Sequence, residues 1–356
     1  MTDAFGRTID YLRLSLTDRC NLRCAYCMSP EGSCKREQEE NCALDELAEL
    51  AAACVALGVK KIRLTGGEPL LRAGVLTLVE RLNALRAAGL EELCMTTNGT
   101  LLPEFAAPLR VAGLDRLNVS LDTLRADCFR SLTGGGDLNR VLDGLAAAEA
   151  AGFERLSLNA VLLRGFNDDE IADLARLAQG KPWSVRIIEL MPIGPGAAMR
   201  GAYLPAERVL ELLPELRELQ NEGSGIKDQG SGIVGGGALD APPTSEQSSV
   251  GASIACPLHT VPSVARLYTA PRWAGTVGLI TPMSCDFCAQ CRRIRITADG
   301  RLKLCLHSSE EIPLRGLHGE TLTRTIRDAV LRKPARHQLA DTQSSQSTRP
   351  MNEIGG

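Results

Sequence analysis

From Tyr11 to about Met191 short apolar runs alternate with longer amphipathic ones. The runs Tyr11–Leu16, Lys60–Leu64, Glu92–Thr96, Asp115–Leu121, Arg155–Leu162 and Ser184–Leu190 read as strands. Leu44–Leu57, Val75–Ala88, Leu138–Ala151 and Asp168–Ala178, rich in Ala, Leu, Glu and Arg, read as helices between them. Gly58, Gly89, Gly113 and Gly152 stand where a helix stops and the next strand begins. Strand–helix alternation at this spacing predicts parallel strands covered by helices. Six units are too few for an eight-stranded closure, so the pattern predicts a partial, splayed (β/α)6 barrel with its chemistry at the C-terminal ends of the strands.

The periodicity stops at Asn221. Residues 221–256 are loaded with Gly and Ser and read as a flexible insertion after a barrel spanning 1–220. Beyond it Thr276–Ile280 and Ile294–Thr297 look like strands, Ala298–Arg301 like a hairpin turn, and Leu322–Leu331 like a last helix, giving a C-terminal domain at 257–341. A polar tail, 342–356, ends in Gly355-Gly356.

Composition narrows the field. Net charge is −3 over 356 residues, so no basic field argues for nucleic acid, and an anionic substrate needs local arginine clusters. No apolar stretch is long enough to predict a membrane span, and Met1–Arg7 does not look like a secretory signal. Thirteen cysteines in that setting point to a reducing cytoplasm, with thiols available to metal. Cys34, Cys42, Cys54, Cys94, Cys128, Cys256 and Cys285 are scattered and read mostly as small core or surface residues.

The remaining six fall into two trios. Cys20-x3-Cys24-x2-Cys27 is chemically odd, because structural zinc and an electron-transfer cubane both take four ligands. Three thiolates leave one iron of a [4Fe–4S] cluster open to a small molecule, and the spacing resembles the radical-SAM signature. On a helix the three would share one apolar face, but Asn21, Arg23 and Tyr26 between them argue against a core helix. Cys288-x2-Cys291-x13-Cys305 is the second trio, around the hairpin. With Cys285 it also reads as a four-cysteine zinc ribbon; beside the first trio it reads as an auxiliary cluster with an iron open to substrate. Arg293-Ile294-Arg295 follows Cys291, and on a strand its two guanidinium groups share a side that grips phosphate or simply faces solvent.

Together the motifs resemble the GTP 3′,8-cyclase (MoaA) family of molybdenum cofactor biosynthesis. The resemblance runs through Phe5-Gly6-Arg7, Tyr11–Asp18, the first trio, Arg63-Leu64-Thr65-Gly66-Gly67-Glu68-Pro69, Thr96–Gly99, Asn118–Asp122, Arg186–Pro192, the second trio and the terminal Gly-Gly. It implies a radical-SAM barrel with a C-terminal auxiliary iron–sulfur domain, two [4Fe–4S] clusters, S-adenosylmethionine (SAM), and conversion of GTP to 3′,8-cyclo-7,8-dihydro-GTP. In that chemistry a 5′-deoxyadenosyl radical takes hydrogen from ribose C3′, and the ribose carbon then attacks C8 of guanine. The resemblance also implies a homodimer, an electron donor and a downstream cyclic pyranopterin monophosphate synthase.

Residue by residue, it places Cys20, Cys24 and Cys27 on the SAM cluster and Cys288, Cys291 and Cys305 on the substrate cluster. Tyr26, Gly67, Ser120 and Met191 match SAM positions. Alone, Gly67 is a strand-to-helix turn, Ser120 a strand-end hydroxyl and Met191 a core residue. Arg13, Arg63, Thr96, Ser157, Arg293, Ile294 and Arg295 match GTP positions, with Arg186 a weaker candidate. Arg13 and Arg63 also have a structural reading, as ion-pair partners of Glu68 or Asp122. Gly355 and Gly356 match a tail that completes the active site, though a polar Gly-ended tail is normally disordered. Two positions depart from the family: Ser157 stands where it has a Lys, and Arg292 where it has an Asn, a cation that offers a replacement charge. Two other readings remain: a radical-SAM peptide maturase, and a non-catalytic zinc or iron–sulfur module.

Overall fold

The computed structural model describes residues 1–28, 41–219, 265–285, 287–342 and 344–355. The insertion predicted at 221–256, Cys34, Cys256 and Gly356 lie outside them. The first half contains strands β1 (Tyr11–Ser15), β2 (Lys61–Thr65), β3 (Glu92–Thr97), β4 (Arg116–Ser120), β5 (Ser157–Leu162) and β6 (Ser184–Glu189). Helices α1 (Leu44–Ala56), α2 (Val75–Ala84), α3 (Leu102–Val111), α4 (Ala126–Leu132), α5 (Leu138–Ala150) and α6 (Ile171–Arg176) connect them. After α7 (Arg208–Leu212) come β7 (Arg217–Glu218), β8 (Arg266–Thr269), β9 (Thr276–Ile280), β10 (Arg293–Ile296), β11 (Arg301–Lys303) and β12 (Ile312–Pro313). Helices α8 (Gly319–Leu331), α9 (Leu339–Thr342) and α10 (Met351–Ile354) close the chain.

All twelve strands share one sheet, ordered β12-β11-β10-β1-β2-β3-β4-β5-β6-β9-β8-β7. Strands β1 to β6 are parallel in sequence order, as the alternation predicts. The six-strand expectation needs extension, because the segment after the insertion adds one parallel strand to each edge, β9 beside β6 and β10 beside β1. Strands β9 and β10 do not pair, so the curved sheet stays open on that side.

Alternation along each strand divides apolar core from polar interior. Leu12, Leu14, Ile62, Leu64, Leu93, Met95, Leu117, Val119, Val185 and Ile187 pack outward in one buried cluster with the helices. Residues one position away carry Arg, Lys, Ser, Thr and Asn into the concave face. Two helices the sequence pattern does not single out are α3 and α4. In α3 the missing donor of Pro103 falls in the first turn, where it costs little, while Pro108 sits inside the helix. Among the described residues no helix is long and apolar enough to cross a membrane.

Candidate active site

The first trio stands on the loop after β1, at the C-terminal rim. Cys20, Cys24 and Cys27 are half-buried there. The loop is fixed from beneath by the turn after β2: Gly67 N–H donates to the Thr17 carbonyl at 2.7 Å and Glu68 N–H to the Arg19 carbonyl at 2.8 Å. A Cβ on Gly67 would lie 2.3 Å from the Arg19 carbonyl oxygen, so glycine is needed for this turn to carry the cysteine loop. Glu68 is buried and accepts from Leu70 N–H, Thr97 Oγ1 and Asn98 N–H at 2.7–3.0 Å, tying the β2 and β3 turns together. Burial raises all three thiols, Cys27 to about 12, and Cys24 and Cys27 are pushed further by Asp122 and by neighbouring cysteine sulfurs. Three sulfurs on one loop suit a cationic iron centre, whose charge makes thiolates favourable.

Tyr26 points its hydroxyl to Asp122 Oδ2 at 2.8 Å, and Ser120 and Met191 follow the same rim at the ends of β4 and β6. The structure therefore brings the first trio, Tyr26, Gly67, Ser120 and Met191 to one end of the sheet.

The second trio lies at the other end. Cys291 precedes β10, which is parallel to β1, and Cys305 follows β11, which returns antiparallel. Five residues of β1 separate the two ends, roughly 16 Å of strand. Cys288 opens a 3₁₀ turn whose carbonyl accepts from Cys291 N–H at 3.1 Å. Cys285 is disulfide-bonded and so is not a fourth thiolate for this trio. Among the described residues no group of three or more His, Cys, Asp or Glu is arranged around a single metal ion.

Between the trios, register stacks the interior side chains into rows. Arg13 pairs with Arg295 on one side and Arg63 on the other, and the row continues through Cys94 to Arg116. A second row runs Thr96, Asn118, Ser157 and Ser184. Burial and the neighbouring Arg295 charge push Arg13 well below the usual guanidinium value. Burial and Arg293 bring Arg295 to about 10, and burial with Arg63 and Arg116 does the same to Arg186. Nε of Arg116 and Arg186, Ser157 Oγ, and Oδ1 of Asn118 and Asn159 are buried without a hydrogen-bond partner. Apart from Glu92, which pairs with Lys61 and Arg116, this interior is short of anions and of hydrogen-bonding groups, the two things a polyphosphate nucleotide supplies.

Three expectations change. Arg63 donates to the Tyr11 hydroxyl and lies 3.5 Å from Thr96 Oγ1, while Glu68 and Asp122 serve the rim turns rather than that arginine. Ile294 is fully buried in the apolar core, on the opposite face from Arg293 and Arg295, so only its main chain borders the interior. Arg292 pairs with Asp10 at the N-terminal end of β1 and is no free replacement for the Lys absent at Ser157. Lys61 and Arg116 join the interior without having been singled out. The signal was present: they occupy the same strand parity as Arg63 and Asn118.

The tail enters this space. Arg349 is buried and bridges Asp299 at 2.8 and 3.1 Å and Glu311 at 2.7 Å. Asn352 Nδ2 donates to the Asp18 carbonyl at 2.9 Å, and its backbone N–H to the Cys27 sulfur. Gly355 is buried, and its carbonyl accepts from Arg295 Nη1 at 2.7 Å. The tail thus touches a cysteine of the first trio and the Arg-x-Arg strand that leads from the second.

Residues 14–178 match the Radical SAM superfamily and residues 251–339 match Molybdenum Cofactor Synthesis C. With the open parallel barrel and the rim cysteines, they define a radical-SAM enzyme. The chain is 41% identical over 360 residues to a GTP 3′,8-cyclase of Peptoclostridium acidaminophilum, covering all of this chain and 98% of that protein. Proteins of the same name from Geobacter sulfurreducens and Moorella thermoacetica are 40% and 42% identical, over all of this chain and 99% and 100% of their own lengths. The chain belongs to the GTP 3′,8-cyclase family.

Proposed function

We propose that this chain converts GTP to 3′,8-cyclo-7,8-dihydro-GTP between its two cysteine trios, in the first step of molybdenum cofactor biosynthesis. The observation that carries the reading is the arginine-rich, unsatisfied interior lying between a radical-SAM rim and a second trio at the far end. Cys20, Cys24 and Cys27 hold one [4Fe–4S] cluster, with SAM against Tyr26, Gly67, Ser120 and Met191. Cys288, Cys291 and Cys305 hold a second cluster that faces the substrate. When bound, the first cluster and SAM supply the one-electron chemistry that removes hydrogen from the ribose.

The chain's own residues bind and align. Arg13, Arg63, Arg293 and Arg295, with Thr96 and Ser157, hold the nucleotide so that its ribose C3′ and base C8 meet. Alignment matters because a carbon radical reacts with whatever lies nearest. The buried tail, through Gly355, closes the interior to water. Homodimerisation, a cytoplasmic location, an electron donor and a downstream cyclic pyranopterin monophosphate synthase come with the family likeness. The test is anaerobic incubation with SAM, dithionite and GTP, followed by analysis for 5′-deoxyadenosine and a cyclised nucleotide. Deoxyadenosine without the nucleotide product overturns the substrate and keeps the class.

Tyr11 gives the site a pH signature. Burial alone raises its phenol, but the charges of Arg63, Arg13 and Lys61 outweigh that and bring it down to about 8. Above that pH a phenolate stands among the arginines, and an anionic ligand must drive a proton back onto it. KM for GTP therefore rises with pH above 8, by up to about tenfold per unit. Tyr11→Phe flattens that rise, and an equally steep profile in the variant removes Tyr11 from the account.

A further inference from the structure

The second trio is held from behind by two buried cations that the chemistry above does not use. The β10–β11 pairing sets Arg295 opposite Lys303, which places Cys305 across from Arg293, two residues beyond Cys291. Lys333 follows α8 and is 3% exposed. Its Nζ donates to the Arg293 carbonyl at 2.9 Å and to the Leu304 carbonyl, one bond to each arm of the hairpin. Leu304 adjoins Cys305 and Arg293 lies two residues beyond Cys291, so the ammonium sits on the backbone beside both cysteines. A buried ammonium is costly unless its donors and its charge are both answered. Here two carbonyls, one on each arm, take its donors.

Cys288, the third cysteine, is fixed by Arg7. Nη1 of Arg7 donates to the carbonyls of Cys288 and Ala335, each at 2.8 Å, and Nη2 to that of Pro334 at 2.7 Å. Asp3 Oδ2 orients the guanidinium through Nε at 2.6 Å. The segment 333–335 is thus stitched to the backbone beside every cysteine of the trio, through Lys333 on the hairpin and Arg7 on the turn.

We propose that Lys333, backed by Arg7, is a positioning residue for the second iron–sulfur site: it clamps the hairpin arms carrying Cys291 and Cys305 and sets its ammonium between them. The proposal rests on reading Cys288, Cys291 and Cys305 as cluster ligands. A cation beside such a cluster favours its reduced, more negative form and so raises its reduction potential.

The test uses full-length protein reconstituted anaerobically with iron and sulfide, read by iron content and EPR-monitored redox titration. The second cluster's signal is the one lost in Cys288→Ser. Lys333→Met is expected to shift that signal to a more negative potential, leave the first cluster's potential in place, and be restored towards wild type by Lys333→Arg. A variant that loses only the second cluster's iron, with Lys333→Arg retaining it, also supports the clamp. An unchanged potential with full iron in Lys333→Met overturns it, as does loss of that iron in both variants. Wild-type protein with about four irons and no second signal would overturn the two-cluster reading instead.

Discussion

Gly355→Ala lowers cyclisation by several orders of magnitude while leaving iron content and folding intact. The residue sits at φ 78°, in the left-handed region, where a side chain is strained by about 1–2 kcal/mol. A Cβ there would stand 2.4 Å from Thr65 Oγ1 and 3.2 Å from Ser15 Cβ, on the first two strands of the barrel. Neither strand can yield, since each is paired on both sides. The tail must back out, and the 2.7 Å bond from Arg295 to the Gly355 carbonyl goes with it. A buried bond from a charged donor is worth about 1.5–3 kcal/mol. With the strain, the loss is roughly 3–5 kcal/mol, or about 10²–10⁴ in kcat/KM. The Arg349 bridges to Asp299 and Glu311 lie upstream and stay in place, so Tm should move little. Steady-state kinetics, iron analysis and thermal melting on one preparation check all three. Turnover within tenfold of wild type removes the tail from the active site.

What the sequence made legible was local. Both cysteine trios, the Gly66-Gly67-Glu68 turn and the Arg-x-Arg pair are short-range patterns whose spacing carries their chemistry. The six parallel strands were legible because polar and apolar positions alternate cleanly along each. The rest depended on partners distant in sequence. Nothing near Lys333 announces that its ammonium will reach Arg293 and Leu304, and Arg7 is 281 residues from the carbonyl it holds at Cys288. The tail reads as polar and disordered until Arg349 finds Asp299 and Glu311, which lie in the β10–β11 turn and just before β12 rather than in the tail. The extra edge strands β9 and β10 were visible as strands, but their places beside β6 and β1 follow from sheet pairing across the insertion. Ile294 reaches the interior by its main chain alone, for a simpler reason. It was carried into the site as part of a tripeptide, although alternation on a strand sends the middle residue to the opposite face.

Arg295→Gln should lower kcat/KM by about 10²–10⁴ without lowering stability, because Arg295 carries two duties at one point. It is buried, it donates to the tail at Gly355, and it faces Arg13 across the β10–β1 pairing in the row proposed to hold GTP. Losing one charge-assisted bond to the tail and one to the nucleotide costs roughly 3–6 kcal/mol in the reacting complex. In the free protein the balance is opposite. Arg295 is held down to about 10 by burial and by Arg293, and it in turn pushes Arg13 down, so it contributes repulsion until an anion arrives. Gln keeps an amide donor and removes that repulsion. The variant should therefore melt no lower than wild type without nucleotide, and gain less Tm than wild type when GTP is added. The two halves separate function from scaffold. If Arg295 serves only to hold the hairpin together, Tm falls and activity declines merely with the folded fraction. If it serves the site, activity collapses in a protein that is fully folded, and Arg295→Lys, which keeps the charge but loses the two-pronged geometry, recovers part of the loss.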